Sequence, residues 1–227
     1  MGFLSNSLGY VGTFLQVVLL ILIARGPFNR YFPLFLYVLS SVAIFTAEGY
    51  VLQKWGADRE HYYPMYWGGG FFLNLQLLLL MILLTMRALE GSPLRAKVTR
   101  FLGVILVVVL LVPFVAFASK VYTTRWNDST SQLLTFGAAV MNLVLWGALL
   151  VGKRRDQQLL TVCAGLGVAL AGAAITLGVR NFTDEDSLGR VIADYSHRLM
   201  DIGSALILCW AFRPARKSIA VAPERPV

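Results

Sequence analysis

Seven long apolar runs divide the sequence, and they constrain the fold more than any other feature. A membrane-spanning helix needs about 20 mostly apolar residues to cross about 30 Å of hydrocarbon. The runs are too long for tilted β-strands and lack the alternation that a membrane β-barrel requires. The sequence therefore predicts one all-α domain, a seven-helix transmembrane bundle, with helices at about 8–24, 32–52, 65–86, 101–118, 132–151, 159–179 and 193–212 and a short tail at 213–227.

The composition fits a chain that lives mostly in the lipid bilayer. Hydrophobic residues make up 57% of the chain and charged residues 14%, against about 45–50% and about 25% in soluble domains. This balance excludes a disordered chain and an ordinary soluble enzyme. The net charge of +8 does not indicate nucleic-acid binding, because the basic residues lie between the apolar runs rather than on one element.

Lysine and arginine are distributed unevenly between the two sides of the predicted bundle. One set of connections, together with the tail, carries 13 of them, and the opposite side carries 7, including Arg198 of the seventh run. Cytoplasmic loops of membrane proteins carry the excess of basic residues. We therefore expect the N-terminus outside and the C-terminus in the cytoplasm, and the basic inner loops are where a partner protein would bind.

The seventh run carries four ionisable residues with helical spacing. Asp194, His197, Arg198 and Asp201 follow an i, i+3, i+4, i+7 pattern, which places them on one helix face. Ionisable groups are costly in lipid, so this stripe must face the bundle or a wet cavity. Two interpretations stay open: a salt-bridge network that fixes packing, or a functional site for a ligand, an ion or a proton path.

Four further polar residues lie at overlapping depth in three other helices. At 1.5 Å per residue, Glu48 lies about 6 Å from the outer end of helix 2, while Asn74, Gln76 and Asn142 lie about 14–17 Å from the outer ends of helices 3 and 5. Together with the stripe they predict an outward-facing polar pocket formed by helices 2, 3, 5 and 7. For each amide the alternative is a simple hydrogen bond between helices.

The residue types also argue against several known seven-helix activities. None of the five lysines falls inside a predicted helix, which excludes a retinal Schiff base. Two histidines, His61 and His197, are too few for a histidine-rich zinc centre, although a bis-histidine haem stays open as a minor alternative. Because the sequence shows no nucleophile–base pair, we predict a protein that is not an enzyme and has no cofactor or metal.

These features together favour a receptor-like or accessory protein that passes signals to a partner. The alternative is a small transporter or a proton- or ion-conducting protein that uses the stripe. Below Asp201 the seventh run is apolar, which favours a pocket open on one side. A structural or assembly subunit remains a third class, and the ligand or ion itself is not predicted.

Three short segments carry a resemblance to known proteins. They are Tyr-Phe-Pro-Leu-Phe at 31–35, Tyr66-Trp67, and Trp-Ala-Phe-Arg-Pro at 210–214. In these segments and in its layout the chain resembles uncharacterised seven-helix integral membrane proteins of acidobacterial type. The resemblance implies a multi-pass protein of a bacterial inner (plasma) membrane and carries no activity. In topology alone, the layout is also similar to the seven-helix sensor modules of bacterial signalling proteins.

Overall fold

The computed structural model describes residues 2–56, 62–90, 95–116, 124–151, 156–183 and 187–213, which fold almost entirely into helices. The all-α prediction is therefore confirmed. Where both are described, each helix covers its predicted run to within one residue; residues 117–118 and 214–227 lie outside the described part. The helices are α1 (Gly2–Arg25), α2 (Phe28–Trp55), α3 (Tyr62–Ala88), α4 (Arg95–Ala116), α5 (Thr124–Val151), α6 (Gln157–Phe182) and α7 (Leu188–Ala211).

Five of these helices are long and apolar enough to cross a membrane. They are α1, α2, α3, α5 and α6. Helix α7 is not among them, and its charged residues Asp194, Arg198 and Asp201 lower its hydropathy. The chain is thus an all-helical protein with several helices suited to a bilayer. Crossing by α4 and α7, and the count of seven, remain predictions.

Six helices pack in a closed ring, and the remaining helix lies outside it. Around the ring each helix contacts its two neighbours in the order α1, α2, α3, α5, α6, α7 and back to α1. Helix α4 packs on α3 and α5. The polar residues of α2, α3, α5 and α7 can therefore meet inside the ring.

Local sequence signals explain several helix ends. Asp156 caps α6, because its side chain accepts a hydrogen bond from the Leu159 amide at 3.1 Å. Gly56 ends α2 with a φ of 72°, a conformation that glycine adopts without a steric penalty. Near the start of α2, Tyr31 leaves helical geometry (φ −116°, ψ 25°) two residues before Pro33.

The buried apolar core is concentrated in one half of the ring. Core side chains on α3 lie mainly between Leu77 and Leu84, and those on α6 between Leu159 and Leu170. At the far end of this half, the rings of Tyr31 and Phe212 pack edge to face with centroids 4.9 Å apart. The bundle therefore has a dry half, which contains the start of α2 and the end of α7.

Candidate ligand-binding cavity

A cavity of about 290 Å³ lies in the other half of the ring. It is near the end where α2 and α6 finish and where α3, α5 and α7 begin. Side chains from these five helices form its wall. The lining residues are Ser41, Ile44, Phe45, Glu48, Tyr66, Trp67, Gly70, Leu73, Asn74, Ser131, Thr135, Ala173, Thr176, Leu177 and His197.

Three of the residues predicted from the sequence meet at this cavity. Glu48 comes from α2, Asn74 from α3 and His197 from α7. At 1.5 Å per residue, they lie about 10, 18 and 14 Å from the nearer ends of their helices. These three residues therefore line one cavity at overlapping depths along their helices.

Glu48 is half-buried, and the neighbouring helix α3 packs closely against it. A Cβ atom at Gly69 would lie 3.2 Å from Oε1 of Glu48 and 2.6 Å from Cγ2 of Ile44. Only glycine lets α3 approach α2 this closely. Among the described residues, no cationic side chain lies within 4.0 Å of the Glu48 carboxylate.

Two nitrogen atoms in the cavity wall have unused hydrogen-bonding capacity. Nδ1 of His197 and Nε1 of Trp67 are buried and have no hydrogen-bond partner within the described part of the chain. Leaving a buried polar group unsatisfied costs about 1–3 kcal/mol. Of the two atoms, a histidine ring nitrogen can accept a hydrogen bond from a polar ligand, whereas the indole nitrogen can only donate one.

Hydroxyl groups fix the rest of the polar wall. Thr135 donates from Oγ1 to Oδ1 of Asn74 at 3.4 Å, which links α5 to α3. Thr176 donates from Oγ1 to the Ala193 carbonyl at 3.2 Å, which links α6 to α7. Both threonines line the cavity, so the helix contacts that shape the wall are themselves polar.

The other two predicted amides lie away from the cavity. Gln76 donates from Nε2 to Oγ of Ser40 at 3.2 Å, so it joins α3 to α2. Asn142 is buried, and its Oδ1 accepts from the Cys163 thiol at 3.0 Å. Both amides take the role of interhelical hydrogen bonding, and the prediction that they line the pocket is not borne out by their placement.

The charged stripe of α7 divides among three environments. His197 lines the cavity, and its Nε2 lies 3.6 Å from Oδ2 of Asp201 one turn deeper. Arg198 turns toward α1, where Nη1 lies 3.5 Å from the Cβ position of Gly9. Asp201 lies one turn deeper than His197 and does not line the cavity. Asp194 shares the face without lining the cavity, so the stripe is not a single wall.

Sequence reasoning missed part of the wall. Helix α6 was not expected to contribute, yet Ala173, Thr176 and Leu177 line the cavity. Tyr66 and Trp67 also line the cavity, and neither was predicted to, because aromatic residues near a helix end are also typical of an interfacial belt. The run of three glycines after Trp67 was the available signal, because it permits close helix approach.

The described residues do not assemble a metal site. No group of three His, Cys, Asp or Glu side chains within the described ranges is placed to hold a metal ion. His61, the second histidine of the haem alternative, lies outside those ranges.

The fold and the cavity define a class: an all-helical protein, suited to a membrane, with a polar cavity in one half of its bundle. No family model, curated protein or solved structure matches the chain.

Proposed function

We propose that this chain is a seven-span receptor-like or accessory protein of a bacterial inner membrane. Its N-terminus lies outside, its C-terminus lies in the cytoplasm, and the cavity binds a small polar ligand from the outer side. The basic inner loops contact a partner protein that receives the signal. The 13-to-7 division of basic residues supports this orientation.

One observation supports the proposal most directly: the polar cavity lies next to the dry half of the same ring of helices. Glu48, Trp67 and His197 line the cavity, whereas Leu78, Met81 and Leu166 fill the region below it. A cavity closed at one end by packed apolar side chains suits a ligand that enters and leaves from the same side. That arrangement favours a receptor over a conducting path.

Single cysteines test the side from which the cavity opens. In a background with Cys163→Ala and Cys209→Ala, we expect Ser131→Cys to react with a membrane-impermeant thiol reagent added to intact spheroplasts. Ala138→Cys is the matched control on the same helix, because Ala138 is fully buried in the dry half. Reaction of Ser131→Cys only in inverted vesicles would contradict an outward pocket.

Reporter fusions test the orientation independently. A periplasm-active reporter joined after Lys217 should be inactive, and one inserted between Asp184 and Gly189 should be active. The reverse pattern would contradict the proposed topology.

A second candidate, a small transporter or proton- or ion-conducting protein, is favoured by the His197–Asp201 contact. This pair places polar side chains one helical turn below the cavity. The same cysteine background separates the two functions. Ser204→Cys, at a buried position deeper on α7, should stay unreactive from both sides in a receptor and become reactive from the cytoplasmic side in a transporter.

A further inference from the structure

The chemistry of the cavity indicates which class of ligand it accepts, given that it is the binding pocket proposed above. Glu48 contributes a carboxylate to the wall. An ionised carboxylate withdrawn from water is costly unless a cation or several hydrogen-bond donors compensate it. We therefore expect the ligand to supply the positive charge or the hydrogen-bond donors that the cavity wall lacks.

Basic side chains on α2 and α7 have other neighbours in the structure. Arg198 directs Nη1 toward Gly9 of α1. Lys54, on the same helix as Glu48, lies over the Trp55 ring at 4.3 Å from its centroid. His197 places Nε2 toward Asp201. Within the described residues, the Glu48 carboxylate is thus left without a positive partner.

Aromatic rings complete the wall. Phe45, Tyr66 and Trp67 all line the cavity, and the Tyr66 and Trp67 rings meet edge to face with centroids 5.2 Å apart. Aromatic faces attract ammonium groups, most strongly when water is excluded. A carboxylate beside aromatic rings is a combination that favours an organic cation over an anion or a neutral molecule.

We propose that the cavity binds a small organic amine in its ammonium form, with the charge beside Glu48 and the apolar body against Phe45, Tyr66 and Trp67. The volume of about 290 Å³ is at the small end of the range for ligand pockets. A compact amine fits that space.

Three probes with one carbon skeleton test the proposal: phenethylamine, the neutral 2-phenylethanol and the anion phenylacetate. Each is titrated against the full-length chain in lipid nanodiscs, with the melting temperature as the readout. A ligand that binds only the folded state raises the melting temperature as its concentration increases. We expect phenethylamine to bind at least about tenfold more tightly than either analogue, a difference of about 1.4 kcal/mol.

Glu48→Gln keeps the shape of the side chain and removes its charge, so it should weaken phenethylamine binding by at least about tenfold. Glu90→Gln, at an exposed carboxylate after α3, should leave binding unchanged. Trp67→Phe provides a second variant, and it should abolish the change in indole fluorescence on amine addition while the protein stays folded.

Several outcomes would overturn the amine assignment. Equal binding of 2-phenylethanol, tighter binding of phenylacetate, undiminished binding by Glu48→Gln, or no stabilisation by phenethylamine would each do so. None of these results contradicts the pocket itself, because the reactivity of Ser131→Cys tests the pocket separately. Failure of that labelling together with amine binding would instead contradict the outward opening.

Discussion

Nε2 of His197 lies 3.6 Å from Oδ2 of Asp201, one helical turn deeper on α7. The histidine lines the cavity and the aspartate does not. The carboxylate therefore lies beside the imidazole on the side away from the cavity. The pair joins the polar half of the ring to the start of the dry half. It is the feature of the stripe that bears most directly on the choice between a packing network and a functional site.

Asp201→Asn should cost little stability, because the His197 and Asp201 side chains are partly accessible and their Nε2 and Oδ2 atoms, at 3.6 Å, are too far apart for a hydrogen bond. Accessible ion pairs contribute at most about 1 kcal/mol. The thermal stability of the purified variant, measured beside wild type, checks this. A loss of about 3–5 kcal/mol is typical of breaking a buried pair, and it would favour a purely structural salt-bridge network.

Gly69→Ala should displace Glu48 and separate α2 from α3. The added Cβ would lie 2.6 Å from Cγ2 of Ile44, and overpacking of this kind costs about 1–3 kcal/mol. Gly68→Ala is the matched control, since its Cβ would have no neighbour within 4 Å. Thermal unfolding should show a loss for the first variant and no loss for the second; equal behaviour would contradict the close α2–α3 contact.

The sequence predicts the helices well, because about 20 apolar residues between polar connections leave few alternatives. It places their ends less well. Hydropathy marks the part of a helix suited to lipid, whereas α5 begins at Thr124 with a polar first turn and α7 begins at Leu188, five residues before its apolar run. The turns beyond the apolar runs are stabilised by backbone hydrogen bonds rather than by lipid.

The candidate site was only partly predictable. The spacing of residues in the sequence gives the relative depth of side chains along a helix, but it does not give the direction in which each side chain points. Asn142 lies seven residues, or about 10 Å, deeper than Thr135 on the same helix, and it contacts Cys163 instead of the cavity. Gln76 is two residues from Asn74 and so faces another direction. Threonines give no clear signal, since many bond their own helix, as Thr85 does to the Met81 carbonyl.

Gly172→Ala tests the contact between α6 and α7. Its Cβ would lie 2.8 Å from the Cβ of Met200, an atom that cannot move without its backbone. We expect a loss of about 1–3 kcal/mol in the free energy of unfolding. Gly178→Ala, with open space around its Cβ position, should be neutral. If both variants keep full stability, the small residues of α6 serve a contact outside this chain instead.

Asp156 has two roles that two substitutions separate. It caps α6 through the Leu159 amide, and it forms an ion pair with Arg30 of α2. Asp156→Asn keeps a capping oxygen and removes the charge, so it should cost at most about 1 kcal/mol. Asp156→Ala also removes the cap and should cost a further amount of about 0.5–2 kcal/mol.

Chemical or thermal unfolding of the two Asp156 variants, alone and with Arg30→Gln, provides the measurement. In the Arg30→Gln background the asparagine variant should have no further effect. An asparagine variant as unstable as the alanine variant would show that the charge, and not the cap, carries the stability.

The central claim is that Glu48 and His197 face one cavity, and cysteine crosslinking tests it most directly. The pair Glu48→Cys and His197→Cys, without Cys163 and Cys209, should form a crosslink in native membranes with reagents spanning about 10 Å, a length on the scale of the spacing between packed helices. Glu48→Cys with Leu150→Cys is the control, because Leu150 lies in the last turn of α5 at the opposite end of the bundle. Efficient crosslinking of the first pair alone is the predicted result, and its absence while each thiol reacts singly would contradict the account.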